Sequence, residues 1–226
     1  MWAVLLVTGR VGDELEAQVG EWTREAGSRG VETVKRLPAI ELSEMVGSGD
    51  HQGVVAQVDP YPYRELEDAL RSHTLLVALD SVQDPHNLGA IIRTAEAAGA
   101  AVIIPRHRAA EVTAAVVKSS AGATEHAAVV RVRNLTDALA TAKEAGFWIY
   151  GASAAADSSY VAQDYRYPTC FVLGSEGQGV GRRVAGACDV MVALPSVGKV
   201  DSLNVSVSAG ILLYEAVRQR SEDGAP

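Results

Sequence analysis

Three polar segments hold most of the side chains able to do chemistry in this 226-residue chain, and each contains glycine: DSVQDPHNLGAIIRTAEAAG (80–99), GSEGQGVG (174–181) and SVGKVDSLNVSVSAG (196–210). In the first, Asp80, Asp84 and His86 invite a metal reading. Their spacing matches no metal-ligand signature, however, and Pro85 stiffens the loop between two of them. An Asp-Pro turn leading into a helix capped by Asn87 is the better reading. Helical spacing puts Leu88, Ile91, Ile92 and Ala95 on one face and Arg93 with Glu96 on the other. Arg93 can therefore reach a phosphate or a ribose, or stand as a solvated surface arginine beside Glu96. The glycines of GSEGQGVG let backbone amides approach a ligand closely, or simply build a tight strand-to-helix turn. In the third segment Ser202, Asn204, Ser206 and Ser208 interleave with apolar residues, so some of these polar groups must be satisfied internally or face a ligand.

The elements that must position these segments are legible from periodicity. From residue 74 onward, near-continuous apolar strands (TLLVALD, AAVIIP, HAAVVRV, FWIYGAS, TCFVLG, DVMVALP) alternate with helical stretches at 87–98, 110–121, 135–145, 178–186 and 205–220. That alternation implies an α/β fold, a mostly parallel sheet covered by helices on both faces. Ligands in such sheets bind at the carboxyl ends of the strands, where all three polar segments and the basic groups Arg106-His107-Arg108 and Arg131/Arg133 fall. A dinucleotide fingerprint is excluded, because the first strand of the block is not followed by G-x-G-x-x-G and Glu176 would repel a pyrophosphate. Gly198-Lys199 lacks the rest of a phosphate-binding loop. Residues 1–60 form a separate block, with strands AVLLVT, VETVKRL and HQGVVAQV and helices near 12–26 and 40–46. The prolines of DPYPY open a linker, 61–73, that includes a short helix.

The formal charge of -8 argues against a polyanionic partner. The imbalance is local: residues 1–73 hold 7 Lys and Arg against 13 Asp and Glu, whereas residues 74–226 hold 13 against 15. Local field steers a polyanion more than net charge does. Cys170 and Cys188 sit in apolar contexts and read as buried thiols of a reducing compartment. No apolar run is long enough to span a bilayer, and MWAVLLVTGRVGDE reads as a strand and not a signal peptide, so the expectation is a cytoplasmic protein with no membrane partner. In the last helix, Val205, Val207, Ala209, Ile211, Leu212, Leu213, Ala216 and Val217 cover more than one stripe. Such a helix must be buried on two sides, one against its own sheet and one against a second copy, with Leu212 and Leu213 offered as contacts of a homodimer.

Taken together and in order, the three segments resemble the SpoU (TrmH-like) branch of the SPOUT superfamily of RNA 2'-O-ribose methyltransferases, over residues 74–220. The resemblance implies a C-terminal trefoil knot and S-adenosylmethionine (SAM) as methyl donor, with no metal. It also implies RNA as acceptor, above all a guanosine ribose of 23S rRNA in rRNA processing, with a tRNA ribose as the alternative. A non-catalytic knotted RNA-binding protein is the reading from another class. Motif by motif, it implies that Asn87, Arg93, Glu176, Ser202 and Asn204 are catalytic, and that Gly174, Gly177, Leu194, Pro195, Ser202 and Leu203 hold SAM. Residues 1–60 resemble the family's small L30e-like substrate-binding domain, trimmed at its N-terminus because the chain opens almost at the first strand.

Overall fold

The computed structural model describes residues 3–8, 12–24, 31–47, 49, 51–199 and 202–222. It divides into two units, Met1–Tyr61 and Pro62–Pro226. In the first, β1 (Ala3–Thr8) lies between β2 (Val31–Leu37), to which it is parallel, and β3 (Val54–Val58), to which it is antiparallel. Helices α1 (Asp13–Arg24) and α2 (Ala39–Val46) supply the buried Val19 and Leu42, and β1 supplies Leu6 and Val7. Helix α2 ends at Gly47, whose φ of 66° gives the left-handed cap that glycine adopts without strain.

The larger unit opens with α3 (Leu66–Ser72), whose Ala69 is buried in its core. It then alternates β4 (Leu75–Asp80), α4 (Pro85–Ala97), β5 (Ala101–Pro105), α5 (Ala114–Ser119), β6 (Val129–Val132), α6 (Leu135–Glu144) and β7 (Trp148–Ala152). The chain continues through the short β8 (Ser158–Ser159), β9 (Thr169–Gly174), α7 (Arg182–Ala185), β10 (Val190–Ala193) and α8 (Val205–Glu222). Seven strands form one sheet in the order β6-β5-β4-β9-β7-β10-β8, with parallel pairing throughout. Alternation along β4 sends Leu76 and Ala78 into a core shared with α3, α6 and α7. The other face carries α4 and α8, which pack against each other. Among the described residues no helix is long and apolar enough to cross a membrane.

Several boundaries differ from the periodic reading. Helix α4 begins at Pro85 and not at 87, because the carboxylate of Asp84 accepts the His86 N–H at 3.0 Å and proline suits the first helical position. Asp84, not Asn87, is the cap. The helix expected over 110–121 shortens to α5, followed by a 3-10 turn at Ala123–Glu125. The helix expected over 178–186 keeps only Arg182–Ala185, since Gly177 and Gly179 adopt φ of 85° and 65° and hold the preceding segment as a turn. Leu212 and Leu213 are both 0% exposed within the chain itself, so neither is free to contact a second copy.

Gly89 makes the α4–α5 packing possible. A Cβ there would lie 1.9 Å from Ser119 Oγ and 2.9 Å from the Ser120 backbone nitrogen. Gly89→Ala should therefore lower stability by about 1–3 kcal/mol through overpacking, although alanine is the better helix former by about 1 kcal/mol. Urea denaturation checks this, and an unchanged or raised midpoint would contradict the close packing.

Candidate functional site

The carboxyl ends of β4, β9 and β10 bring together side chains far apart in sequence. Asn204 precedes α8 and caps it, its Oδ1 accepting the N–H of Ser206 at 2.9 Å and of Val207 at 3.4 Å. The other half of the same amide points away from the helix. Asn204 Nδ2 donates to Glu176 Oε1 at 2.7 Å and to Asn87 Oδ1 at 2.9 Å. Asn87 Nδ2 donates to the same Glu176 oxygen at 3.2 Å. Three segments are thereby tied through one carboxylate oxygen, and Glu176 Oε2 makes no hydrogen bond or ion pair among the described residues.

The turn that carries Glu176 is set by glycines. Ser175 and Gly179 pair as an isolated antiparallel bridge, the Gly179 N–H donating to Ser175 O at 2.9 Å. The chain folds back so tightly that a Cβ on Gly174 would fall 1.9 Å from the backbone carbonyl of Gly179. Asp80, at the end of β4, accepts the Gly181 N–H at 2.7 Å and fixes the far end of this turn, so it is a scaffold residue.

Two cavities flank the cluster. The larger, about 520 Å³, is walled by the end of β7 and the loop after it (Ala152 to Ala155), the 174–179 turn, and Leu194, Ser202 and Leu203. The smaller, about 380 Å³, is walled by Ser81 to Asp84, Asn87, Arg108 and Gln178. Glu176 borders both. Of the positions singled out in the sequence, Gly174, Gly177, Leu194, Ser202 and Leu203 line the larger cavity and Asn87 the smaller, while Pro195 lines neither. Arg93 is exposed on α4, lines neither cavity, and makes no ion pair with Glu96. Ser202 lies on the wall without joining the hydrogen-bonded cluster. Sequence reasoning missed Ala152 to Ala155, three alanines and one serine with no motif to mark them. It also missed Gln178, which borders both cavities. On the basic rim, Arg131 is engaged structurally, 2.8 Å from Glu111 and over the Tyr63 ring.

The larger cavity lies within the range of small-molecule sites, roughly 300–1,000 Å³. Its small residues bring peptide groups to the surface, and Leu194 and Leu203 add apolar area suited to a flat base. Among the described residues no three His, Cys, Asp or Glu side chains gather as a metal site. The two thiols are quiescent: burial pushes Cys170 up, and pushes Cys188 up to about 11.

Comparison with known proteins identifies the family of both units. A family model described as SpoU rRNA Methylase matches residues 74–214. A second, described as RNA 2'-O ribose methyltransferase substrate binding, matches residues 10–64. The chain is 45% identical over 199 residues to a putative TrmH family tRNA/rRNA methyltransferase, YacO, of Bacillus subtilis, covering 85% of this chain and 80% of that protein. Among solved structures it is similar to the SpoU methyltransferase AviRb of Streptomyces viridochromogenes, with a TM-score of 0.80 at 29% identity over 97% of this chain and 82% of that one. It is also similar to the AdoMet-bound rRNA methyltransferase of Sinorhizobium meliloti, with a TM-score of 0.77 at 28% identity over 95% and 79% of the two chains.

The double role of Asn204 can be separated by substitution. Asn204→Ala removes both the cap and the bridge and should cost about 1 kcal/mol or somewhat more. Asn204→Ser keeps a capping oxygen but cannot span to Glu176, so urea denaturation should place it within a few tenths of wild type. A serine variant as unstable as the alanine variant would show that the bridge, and not the cap, carries the stability.

Proposed function

The chain belongs to the SpoU (TrmH-like) family of SAM-dependent RNA methyltransferases, and from that membership we propose that it methylates a ribose 2'-oxygen, most specifically in 23S rRNA. One observation carries the reading: a carboxylate held by two asparagine amides stands on the wall shared by the two cavities. The larger cavity takes SAM and the smaller takes the target nucleotide. The match of residues 10–64 to a substrate-binding model for ribose methyltransferases favours the ribose over a base. We read that unit as the L30e-like domain that engages RNA, and the loops around Gly174, Leu194 and Leu203 as parts of a trefoil knot.

SAM supplies a methyl group already activated on a sulfonium, so the chain must mainly align the acceptor and assist loss of one proton. Asn87 and Asn204 saturate Glu176 Oε1 and fix the carboxyl plane. The open Oε2 accepts the hydrogen of the ribose hydroxyl as the oxygen begins to bond to carbon. Asn87 borders the smaller cavity, where it meets the ribose. Arg93 stays protonated and serves as an electrostatic and orienting group toward the RNA.

Its distance from both cavities is accounted for by a homodimer. Val207 and Tyr214, 50% and 49% exposed, form one apolar stripe along α8 with the half-buried Ile211, and Leu203, 41% exposed, lies just before the helix. Leu203 also lines the larger cavity, so this face is continuous with the site. Pairing two copies on the stripe covers it and carries Arg93, on the adjacent α4, toward the site of the other copy.

Two outcomes test the reading. Glu176→Gln should keep the amide contacts yet lose the acceptor, reducing turnover with tritiated SAM and RNA by about 100-fold or more while SAM affinity by calorimetry changes little. Wild-type turnover in that variant would remove Glu176 from the chemistry. Val207→Asp or Tyr214→Asp should sediment as a folded monomer with little RNA methylation, whereas Leu213→Asp should lose its fold. A dimeric Val207→Asp protein would contradict the stripe as the interface.

A further inference from the structure

Arg108 combines three properties in one place. It lines the smaller cavity with Asn87 and Glu176, it is exposed, and its guanidinium has no hydrogen-bond or ion-pair partner among the described residues. The two carboxylates of that cavity do not pair with it: Asp84 caps α4 and Glu176 is held by the asparagines. Its backbone adopts φ of 59°, a left-handed conformation that a long unbranched side chain rarely takes. Ser81, which also lines this cavity, is likewise left-handed at 64°.

These turns are fastened to each other and to the core. The Ala110 N–H donates to Val82 O at 2.9 Å, and Val82 is buried. The Val112 N–H donates to the Tyr63 hydroxyl at 2.9 Å, and Tyr63 lies under Arg131, which in turn pairs with Glu111. The loop is thus anchored at 110–112 and presents residue 108 as a fixed tip. Non-glycine residues held in left-handed geometry concentrate where surrounding structure over-determines them, often at ligand clamps.

We propose that Arg108 binds a backbone phosphate beside the target nucleotide and so seats the acceptor ribose against Glu176. The inference rests on the reading that the smaller cavity receives the acceptor. A guanidinium fork suits a phosphodiester, and its positive charge offsets part of the repulsion that Asp84 and Glu176 would otherwise exert on RNA there. The carboxylate of the methyl donor is the other anion Arg108 could meet, and the experiment separates the two.

The probe is total RNA from a strain lacking this gene, with wild type, Arg108→Ala, Arg108→Asn and Arg108→Lys. Asparagine tolerates the left-handed turn, so Arg108→Asn removes the charge with the loop intact. Filter binding across a salt series should show about tenfold weaker RNA binding for Ala and Asn, with the log–log salt slope smaller by about 1. Lysine should recover most of both. SAM affinity without RNA, by calorimetry, should stay within twofold. Unchanged RNA affinity and slope in the Asn variant would overturn the proposal, and so would weakened SAM binding without RNA, which assigns Arg108 to the donor. A wild type that binds RNA with this Arg108 dependence but transfers no methyl supports Arg108 as a phosphate contact while sinking the proposed reaction.

Discussion

The amide of Asn204 faces two ways, and the site depends on that division. Its oxygen is consumed by the first N–H groups of α8, which fixes the helix start and the rotamer of the side chain. Its nitrogen is then aimed without further adjustment at Glu176 and Asn87. A side chain already locked by a capping interaction loses little additional freedom when it orients a second group. Preorganisation of this kind is what a site needs when it has to align reactants and supplies no strong acid, base or metal. Remove Asn204 and the carboxylate is held by Asn87 alone. Remove the glycine turn at 174–179 and the carboxylate never reaches the amide.

The same economy extends outward. Asp80 holds the far end of the glycine turn, Asp84 starts α4 so that Asn87 falls within its first turn, and Gly89 lets α5 close over that helix. Acidic residues near the proposed RNA site thus have assigned partners, and the negative formal charge is less of an obstacle than the total implies. Residues 1–73 carry most of the excess. Around the smaller cavity the carboxylates are hydrogen-bonded and Arg108 is not, so Arg108 is the cation there with its donors free for an approaching phosphate.

Much of this was legible in the sequence, and the reasons it was differ by feature. Parallel strands buried on both faces read as unbroken apolar runs, so β4, β5, β7, β9 and β10 were evident from hydropathy alone. Glycines at 177 and 179 announced a turn, but their positive φ also removed most of the helix that periodicity placed over 178–186. Asn87 read as a cap because an asparagine before an apolar face usually is one, and only the geometry shows Asp84 taking that role. Periodicity also counted Leu212 and Leu213 as surplus, whereas α4 and the sheet together bury both and leave Val207 and Tyr214 outside. The strand order, with β9 between β4 and β7, has no local signal. It decides that residues 87, 176 and 204 meet, that residues 152 to 155 wall a cavity, and that Arg93 does not join them.

We propose a ribose hydroxyl, and not a base, as the acceptor that the chain presents to the methyl donor. Alkaline digestion of RNA labelled by the wild-type protein with tritiated SAM tests it directly. A 2'-O-methyl group removes the hydroxyl that attacks the neighbouring phosphodiester, so the account predicts label in alkali-resistant dinucleotides. Label recovered in mononucleotides would place the methyl on a base and contradict it.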